Sequence, residues 1–164
     1  MTAQDIMTEN VKTISAQATL RDAAQVLVAH RISGLPVVNA HNHIIGMITE
    51  KDLLDHAQSY TTVPRLALYP FGFEALPPHL LEKAFQEGLS VRVADVMTFP
   101  VVTAEEDTPI EILAGLMREH RVNRLPIVRN RQIVGIVTRE DLLRAIAHFS
   151  AETSSRSYAE PVAA

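Results

Sequence analysis

Apolar residues at helical spacing occur early in the chain and lead into two short apolar segments. The apolar face of this predicted helix consists of Leu20, Ala23, Ala24, Leu27 and Val28. The helix is expected to end near residues 30–31. Apolar strands are predicted over 35–38 and 44–48, and the polar turn 39–43 between them is typical of a hairpin. A second helix is expected to begin at Thr49.

The whole pattern occurs twice, and most segments return after 90 residues. Asp5-Ile6-Met7-Thr8 returns as Asp95-Val96-Met97-Thr98, and residues 30–38 return at 120–128. Residues 44–54 return at 133–143, so one residue is lost in the second turn. One copy alone buries little apolar surface. The duplication therefore predicts two related α/β units that share a core.

In each copy, one threonine is predicted to begin the first helix. Thr108-Pro109 with Glu111 three residues on predicts a capping box with proline at the first helical position. Thr19 with Asp22 is a weaker version of the same signal. Together they predict where the first helix of each copy begins.

The duplicated motifs resemble the CBS domain, and the pair resembles a Bateman module. The residues that carry the likeness are Met97-Thr98, 120–128 and 135–143, with their counterparts in the first copy. The resemblance implies an α/β fold of two β-α-β-β-α repeats, over 3–58 and 93–148, packed about a pseudo-twofold axis. In that family, tandem copies bind adenosyl compounds such as AMP, ADP, ATP or S-adenosylmethionine in the cleft between the repeats. They usually regulate a neighbouring domain or a partner.

The candidate ligand contacts are Thr49 with Asp52, and Thr138 with Asp141. A Thr-x-x-Asp sequence at a helix start is also a capping signal, so a purely structural role stays open. Such a helix start presents free N–H groups that suit a phosphate. The resemblance implies that the aspartate accepts hydrogen bonds from the ribose hydroxyls. A glycine three residues before each threonine, at 46 and 135, is expected to let a ligand approach the backbone.

The two candidate sites differ in charge. Arg124 and Arg139 flank the second site, and arginine pairs well with phosphate. Gly34 and Glu50 occupy the same places in the first copy. We therefore expect the second site to favour phosphorylated adenosine, and the first to be weaker, empty or suited to a less anionic ligand.

The resemblance implies further contacts from both repeats. It suggests backbone contacts with the base, and threonines nearby on the opening strands, although ordinary strand and turn packing explains the same residues equally well. These residues are Ile32, Ser33, Val122, Asn123, Thr13 and Thr103.

Composition narrows the function further. The 164 residues carry a net charge of −4, which argues against a general nucleic-acid binder. The absence of cysteine fits a reducing compartment, and a polar N-terminus without a long apolar run predicts a soluble, cytoplasmic protein without a membrane segment. His41 and His43 straddle a turn but have no carboxylate or cysteine partners for a metal. No catalytic motif is present, so the chain is predicted to be a non-enzyme without a catalytic cofactor.

Two segments fall outside the repeats. Residues 59–92 are rich in proline and aromatic residues, with a helix expected over about 79–87. This insert is expected either to cover an apolar face of the module or to act as a lid or partner contact. Residues 149–164 are predicted to be a mobile tail.

Two functions remain open. The first is a sensor of adenosine nucleotides, bound with or without Mg²⁺, that signals by changing the shape of a homodimer or its binding to a protein partner. The alternative is a ligand-independent interaction module in which the Thr-x-x-Asp motifs serve only as helix caps.

Overall fold

The computed structural model describes residues 1–61 and 86–156. The chain divides into two compact units. The first-repeat unit is Lys12–Val101, and the second-repeat unit combines Met1–Val11 with Val102–Ala164.

The first-repeat unit contains a three-stranded sheet and two helices. In chain order these are β1 (Ile14–Ser15), α2 (Leu20–His30), β2 (Gly34–Val38), β3 (Ile44–Thr49) and α3 (Glu50–Thr61). The strand order is β1-β2-β3, with β1 parallel and β3 antiparallel to β2. The predicted hairpin and both predicted helices are therefore confirmed. A short 3-10 helix, Val93–Asp95, also belongs to this unit.

The second-repeat unit repeats this order without a full opening strand. Helix α1 (Ala3–Ile6) comes from the N-terminus, and α4 (Ile110–Glu119), β4 (Arg124–Arg129), β5 (Gln132–Thr138) and α5 (Arg139–Arg156) follow. The place of β1 is taken by a single parallel bridge between Ala104 and Ile127. The mixed α/β architecture expected of the two repeats is thus present.

The second copy is one residue shorter than the first because its hairpin turn is tighter. Asn130 and Arg131 both have positive φ, and the pair Arg129–Gln132 encloses them. Two successive positive φ values are typical of the tight two-residue hairpin turn. The longer turn of the first copy is held by Asn39, whose side-chain oxygen accepts hydrogen bonds from the backbone N–H groups of His41 and His43.

Equivalent apolar residues build the core of each unit. Leu20, Leu35, Val37 and Ile48 are buried in the first-repeat unit. The second-repeat unit buries residues at the same repeat positions, and these are Ile110, Leu125, Ile127 and Val137. Because these residues lie on the strands and on the inner faces of the helices, each core fixes the strand ends where the candidate site residues lie.

Each core also includes a segment from the other repeat. Ala3 is fully buried in the second-repeat unit, and its counterpart Val93 is fully buried in the first-repeat unit. Thr8 pairs with Ile136 through two backbone hydrogen bonds of 2.9 and 3.0 Å, and Thr98 pairs with Met47 in the same way. The compact units therefore cross the boundaries of the sequence repeats.

The capping box that the sequence made the weaker one is complete, and the one that it made the stronger is absent. Thr19 and Asp22 form the complete box, whereas α4 begins one residue later than expected, with Pro109 at its N-cap and no side-chain cap. The hydroxyl of Thr108 instead accepts a hydrogen bond from the Glu105 backbone N–H at 3.0 Å. The prediction for Thr108 and Glu111 was wrong because the preceding turn uses the threonine side chain.

The segments outside the repeats are described only in part. Helix α5 continues to Arg156, so the first residues of the predicted mobile tail are helical. Extending an established helix costs little, since each added residue gains a hydrogen bond. Most of the predicted insert, including most of its expected helix over 79–87, lies outside the described residues, as do residues 157–164. Within the described part of the chain, no helix is long and apolar enough to cross a membrane.

Candidate functional site

Each second helix begins at a threonine that is hydrogen-bonded to the aspartate three residues later. Thr138 donates to Asp141 Oδ2 from its backbone N at 2.8 Å and from its hydroxyl at 2.6 Å. Thr49 and Asp52 show the same two distances. The capping role that the sequence left open is therefore present in both copies. It uses Oδ2 of each carboxylate, and Oδ1 remains as a further acceptor.

Capping geometry alone does not mark a functional site in this chain. Thr19 and Asp22 make the same contacts at the start of α2, at 2.9 and 2.8 Å. Hydrogen bonds from the Thr19 backbone and hydroxyl lower the pKa of Asp22 below its ordinary value. What distinguishes the candidate pairs is their position, because each lies where a hairpin strand passes directly into a helix.

The hairpin register places Arg124 next to the pair of Thr138 and Asp141. Arg124 lies directly opposite Thr138 in the antiparallel pair, so their side chains share one face of the sheet. Arg139 donates its backbone N–H to the Asn123 carbonyl at 3.0 Å. Four of the predicted site residues therefore meet Asp141 around one helix start. We refer to these five residues, together with Val122, which directly precedes Asn123, as the second corner.

The first repeat forms the same corner with different side chains. Gly34 lies opposite Thr49, and Glu50 donates its backbone N–H to the Ser33 carbonyl at 3.1 Å. The first corner consists of Ile32, Ser33, Gly34, Thr49, Glu50 and Asp52. Its backbone matches the second corner, but it presents a carboxylate and no arginine.

Ile32 and Val122 have their backbone N–H groups already paired. They donate to the carbonyls of Leu27 and Met117 at the ends of the preceding helices, each at 3.0 Å. A base that contacts the backbone at these two residues would therefore meet carbonyl oxygens rather than amide donors.

Thr13 and Thr103 are not brought to the corners. Thr13 directly precedes β1, and β2 lies between β1 and the strand that carries Thr49. Thr103 directly precedes the bridge of Ala104 to β4, so it has the same place relative to Thr138. Both threonines lie one strand away from the Thr-Asp pairs.

Electrostatics separate the two corners. The Asp141 side chain is only 11% exposed, and its Oδ1 lies 3.8 Å from Arg144 Nη1. Arg144 also pairs with Glu140 at 2.7 Å, and this contact raises the pKa of the guanidinium. In the first repeat, Lys51 pairs with Asp55, and among the described residues no cation pairs with Asp52.

The glycines before the threonines have a different role from the one expected. A side chain at Gly135 would collide with Met7, whose Cγ lies 2.8 Å from the position of a Cβ atom. Gly46 faces Met97 in the same way, with Cγ at 3.0 Å. The space above each glycine is therefore filled by a methionine from the other repeat's Met-Thr motif. Sequence reasoning missed Met7 and Met97 in this role, although their repetition with the glycines was a visible signal.

His41 and His43 lie close together on the turn of the first hairpin. The rings of His41 and His43 lie 6.1 Å apart and are tilted by 39°. Over residues 1–61 and 86–156, no group of three or more metal-ligating side chains occurs. Among these residues, the two histidines therefore have no third metal-ligating side chain beside them.

The family match decides the classification. The CBS domain model matches residues 3–59 and 93–148, the two copies of the repeat. The chain belongs to the CBS domain family. The corners described above are thus equivalent positions of two CBS repeats.

Other CBS proteins resemble the chain over most of its length. The CBS domain of a membrane protein from Sphaerobacter thermophilus is 35% identical, with a TM-score of 0.69, over 88% of this chain and 86% of that one. The CBS domain pair of protein MJ0100, solved with 5′-methylthioadenosine and S-adenosylmethionine, is 26% identical with a TM-score of 0.66, over 91% of this chain and 98% of that one.

One curated relative is a much longer enzyme. Inosine-5′-monophosphate dehydrogenase of Methanocaldococcus jannaschii is 32% identical over 87% of this chain. The match spans only 23% of that protein. The likeness to the dehydrogenase is therefore confined to a small part of it.

Proposed function

We propose that this tandem CBS chain is a non-catalytic regulatory module that binds adenosine nucleotides. The observation that carries the proposal is the second corner, where a nearly buried carboxylate keeps one oxygen beyond its cap and an arginine lies opposite the capping threonine. The ligands solved with the CBS pair of MJ0100 are adenosyl compounds, which supports the same ligand class here.

The proposal gives each residue of the second corner a role. Asp141 Oδ1 accepts hydrogen bonds from ribose hydroxyls while Oδ2 holds the cap. Arg124 and Arg139 pair with phosphate oxygens, since charge-assisted contacts with arginine are short and strong. The Val122 and Asn123 carbonyls contact the base. AMP, ADP and ATP are the candidate ligands, and Mg²⁺ accompanies the longer phosphate chains.

The first corner is proposed as the weaker site. Thr49 and Asp52 offer the same ribose contacts, and Ile32 and Ser33 the same carbonyls, but Glu50 stands where the second corner has an arginine. A carboxylate beside the bound ligand repels a phosphate group. Thr13 and Thr103 lie one strand away from the Thr-Asp pairs. We propose that they contact a ligand only on the side that faces away from those pairs.

We further propose that the module signals as a homodimer or through a protein partner in trans. Leu54 and Leu143 occupy equivalent positions on α3 and α5 and are 64% and 66% exposed. The charges around them differ in sign, because Lys51 and Asp55 on α3 correspond to Glu140 and Arg144 on α5. Unlike helices of two copies therefore complement each other, and a twofold dimer makes that contact twice.

The ligand-independent interaction module is the alternative. It is favoured by the complete caps, because the Thr-Asp pairs stabilise their helices without any ligand. In that case the exposed leucines carry the function, together with the insert, most of which lies outside the described residues.

A panel of ligands tests the proposal directly. Melting temperature and solution mass would be measured with AMP, ADP, ATP, S-adenosylmethionine and GTP, with and without Mg²⁺. A ligand at 100 times its dissociation constant adds about 2.7 kcal/mol to the free energy of unfolding. A rise with adenosine compounds but not with GTP, and a dimer mass, is the expected result. The absence of any rise at millimolar ligand favours the interaction module.

A further inference from the structure

Methionine supplies all the sulfur of this chain, which contains five methionines and no cysteine. Oxidation of a methionine to its sulfoxide converts a flexible apolar side chain into a polar one. The five side chains lie in different surroundings. Met1 is 50% exposed and Met117 only 2%, whereas Met7, Met47 and Met97 are half-buried. The surroundings of each thioether therefore decide what its oxidation does to the fold.

The sulfur atoms of Met7 and Met97 each lie against the backbone of a glycine. Met7 Sδ is the atom nearest to the position where Gly135 would carry a Cβ, and Met7 Cγ and Cβ follow at 2.8 and 3.1 Å. Met97 lies on Gly46 in the same order, with Cγ at 3.0 Å and Cβ at 3.3 Å. Both glycines are buried. The two units thus share one close contact between a thioether and a backbone.

The surroundings of both sulfur atoms are apolar. Met7 packs against the core of the second-repeat unit, and Met97 packs against the core of the first-repeat unit. Among the side chains that the structure describes, no polar or charged one is buried in either core. A sulfoxide oxygen accepts hydrogen bonds, and burying such a group without a donor costs free energy. An oxidised Met7 or Met97 would therefore have to leave its glycine.

Each of these methionines is followed by a threonine that is bonded to the hairpin. Thr8 and Ile136 exchange two backbone hydrogen bonds of 2.9 and 3.0 Å, and Thr98 and Met47 exchange two of 3.0 and 2.8 Å. In both units the hairpin residue of this bridge directly follows the glycine under the sulfur. Displacing the methionine therefore removes the packing that supports the bridge.

We propose that Met7 and Met97 are sites of reversible oxidation, through which hydroperoxides loosen the Met-Thr segments at 7–8 and 97–98. The thioether sulfur attacks one peroxide oxygen, so the S–O bond forms as the O–O bond breaks. With hydrogen peroxide, the second oxygen leaves as water, the sulfur is oxidised and the peroxide is reduced. A methionine sulfoxide reductase reverses the step, with two thiols supplying the electrons and the sulfoxide oxygen leaving as water. This modification is independent of the ligand proposed above.

Treating the native protein with hydrogen peroxide tests the proposal. Peptide mapping by mass spectrometry would follow each methionine over time. Met1 should be oxidised first, because its side chain is the most exposed of the five. Met7 and Met97 should follow, and the buried Met117 should stay reduced.

The same samples show what the oxidation does. The melting temperature should fall by about 5 °C or more once both sites are oxidised, because each sulfoxide loses its apolar contact. In hydrogen exchange, the backbone N–H groups of Thr8 and Thr98 should lose protection. Treatment with methionine sulfoxide reductase and dithiothreitol should restore both properties.

Two double variants assign the effect to particular sulfur atoms. Met7→Leu/Met97→Leu removes both proposed sites with little change in side-chain volume, so it should keep its melting temperature under peroxide. Met1→Leu/Met47→Leu is the matched control. It removes the other two methionines that are not buried, and it should lose as much stability as the wild type. The control keeps the test decisive if the first variant does not fold.

Three results would overturn the proposal. The first is that Met7 and Met97 stay reduced in the native protein while Met1 is oxidised. The second is that both become sulfoxides without a fall in melting temperature. The third is that peroxide no longer destabilises Met1→Leu/Met47→Leu, or that it destabilises Met7→Leu/Met97→Leu as much as the wild type, since oxidation elsewhere then accounts for the loss.

Discussion

At the scale of single residues, the same pair of hydrogen bonds between a threonine and an aspartate occurs at four helix starts of the described residues. Thr2 with Asp5 and Thr19 with Asp22 form the same capping box as the two candidate pairs. The chemistry of the pair is therefore not what assigns a ligand. Its place at the end of a hairpin strand that passes directly into a helix distinguishes the two candidate pairs from a simple cap.

The lowered pKa of Asp22 leads to a prediction of how stability responds to acid. Hydrogen bonds from the Thr19 backbone and hydroxyl lower the pKa of Asp22, so the unfolded chain takes up its proton first as the pH falls. The stability from this group is complete above the ordinary carboxyl pKa of about 4 and is lost as the pH falls through the lowered value. Asp22→Asn should therefore flatten the fall in melting temperature between pH 5 and pH 2.

The matched control for this experiment is Glu119→Gln, which removes an exposed carboxylate at the end of α4. It should leave the acid limb of the melting curve as in the wild type. If Asp22→Asn and the wild type lose stability in parallel over the whole acid range, the cap does not set the acid response.

The residues of the second corner show what a sequence reveals at this scale. The Thr-Asp pairs could be named from their repetition, and Arg124 and Arg139 from their places beside the second pair. That Arg124 faces Thr138 depends on the hairpin register, which the lengths of the strands left undetermined until the two-residue turn fixed it. The failed cap at Thr108 shows the reverse, since a local signal was overridden by a neighbouring turn.

At the scale of secondary-structure elements, the exchange of Met-Thr segments is the main feature. Met7 packs on Gly135 and Met97 packs on Gly46, and each segment extends the hairpin of the other repeat by one bridge. The main helices and the hairpins could be predicted from periodicity and from their polar turns, whereas α1 and the short 3-10 helix Val93–Asp95 were not predicted. The exchange could not, because both copies carry the same motif and the sequence fits either pairing equally well.

The packing of Met7 on Gly135 predicts that replacing this glycine by alanine lowers the free energy of unfolding. Gly135→Ala places a methyl group against Met7 and should lower the free energy of unfolding by about 1–3 kcal/mol, as overpacking does. In the background Met7→Ala, the same substitution should cost clearly less, because the colliding side chain is gone. Chemical denaturation of the four proteins of this cycle measures the coupling.

Gly115→Ala is the control for the effect of glycine itself. Gly115 lies inside α4, and no atom comes within 4 Å of its added Cβ. This variant should gain about 0.5–1 kcal/mol through the lower entropy of its unfolded chain. Equal costs at Gly135 with and without Met7 would contradict the packing described here.

At the scale of the whole molecule, two compact units each combine one repeat with a short segment of the other. Neither repeat can therefore complete its core from its own sequence alone, since Ala3 and Val93 are buried across the repeat boundary. This interdependence explains why the copies occur as a pair.

The proposed function requires that Asp141 bind a ligand and not only cap a helix. The most direct measurement compares Asp141→Ala with Asp22→Ala, because both remove the aspartate of a Thr-x-x-Asp cap. Each should lose about 0.5–2 kcal/mol of stability from the lost cap. AMP binding would then be measured by calorimetry on both variants and on the wild type. Under the proposed function, Asp22→Ala should bind AMP as the wild type does, whereas Asp141→Ala should lose the tighter site. Equal AMP affinity in all three proteins would contradict it.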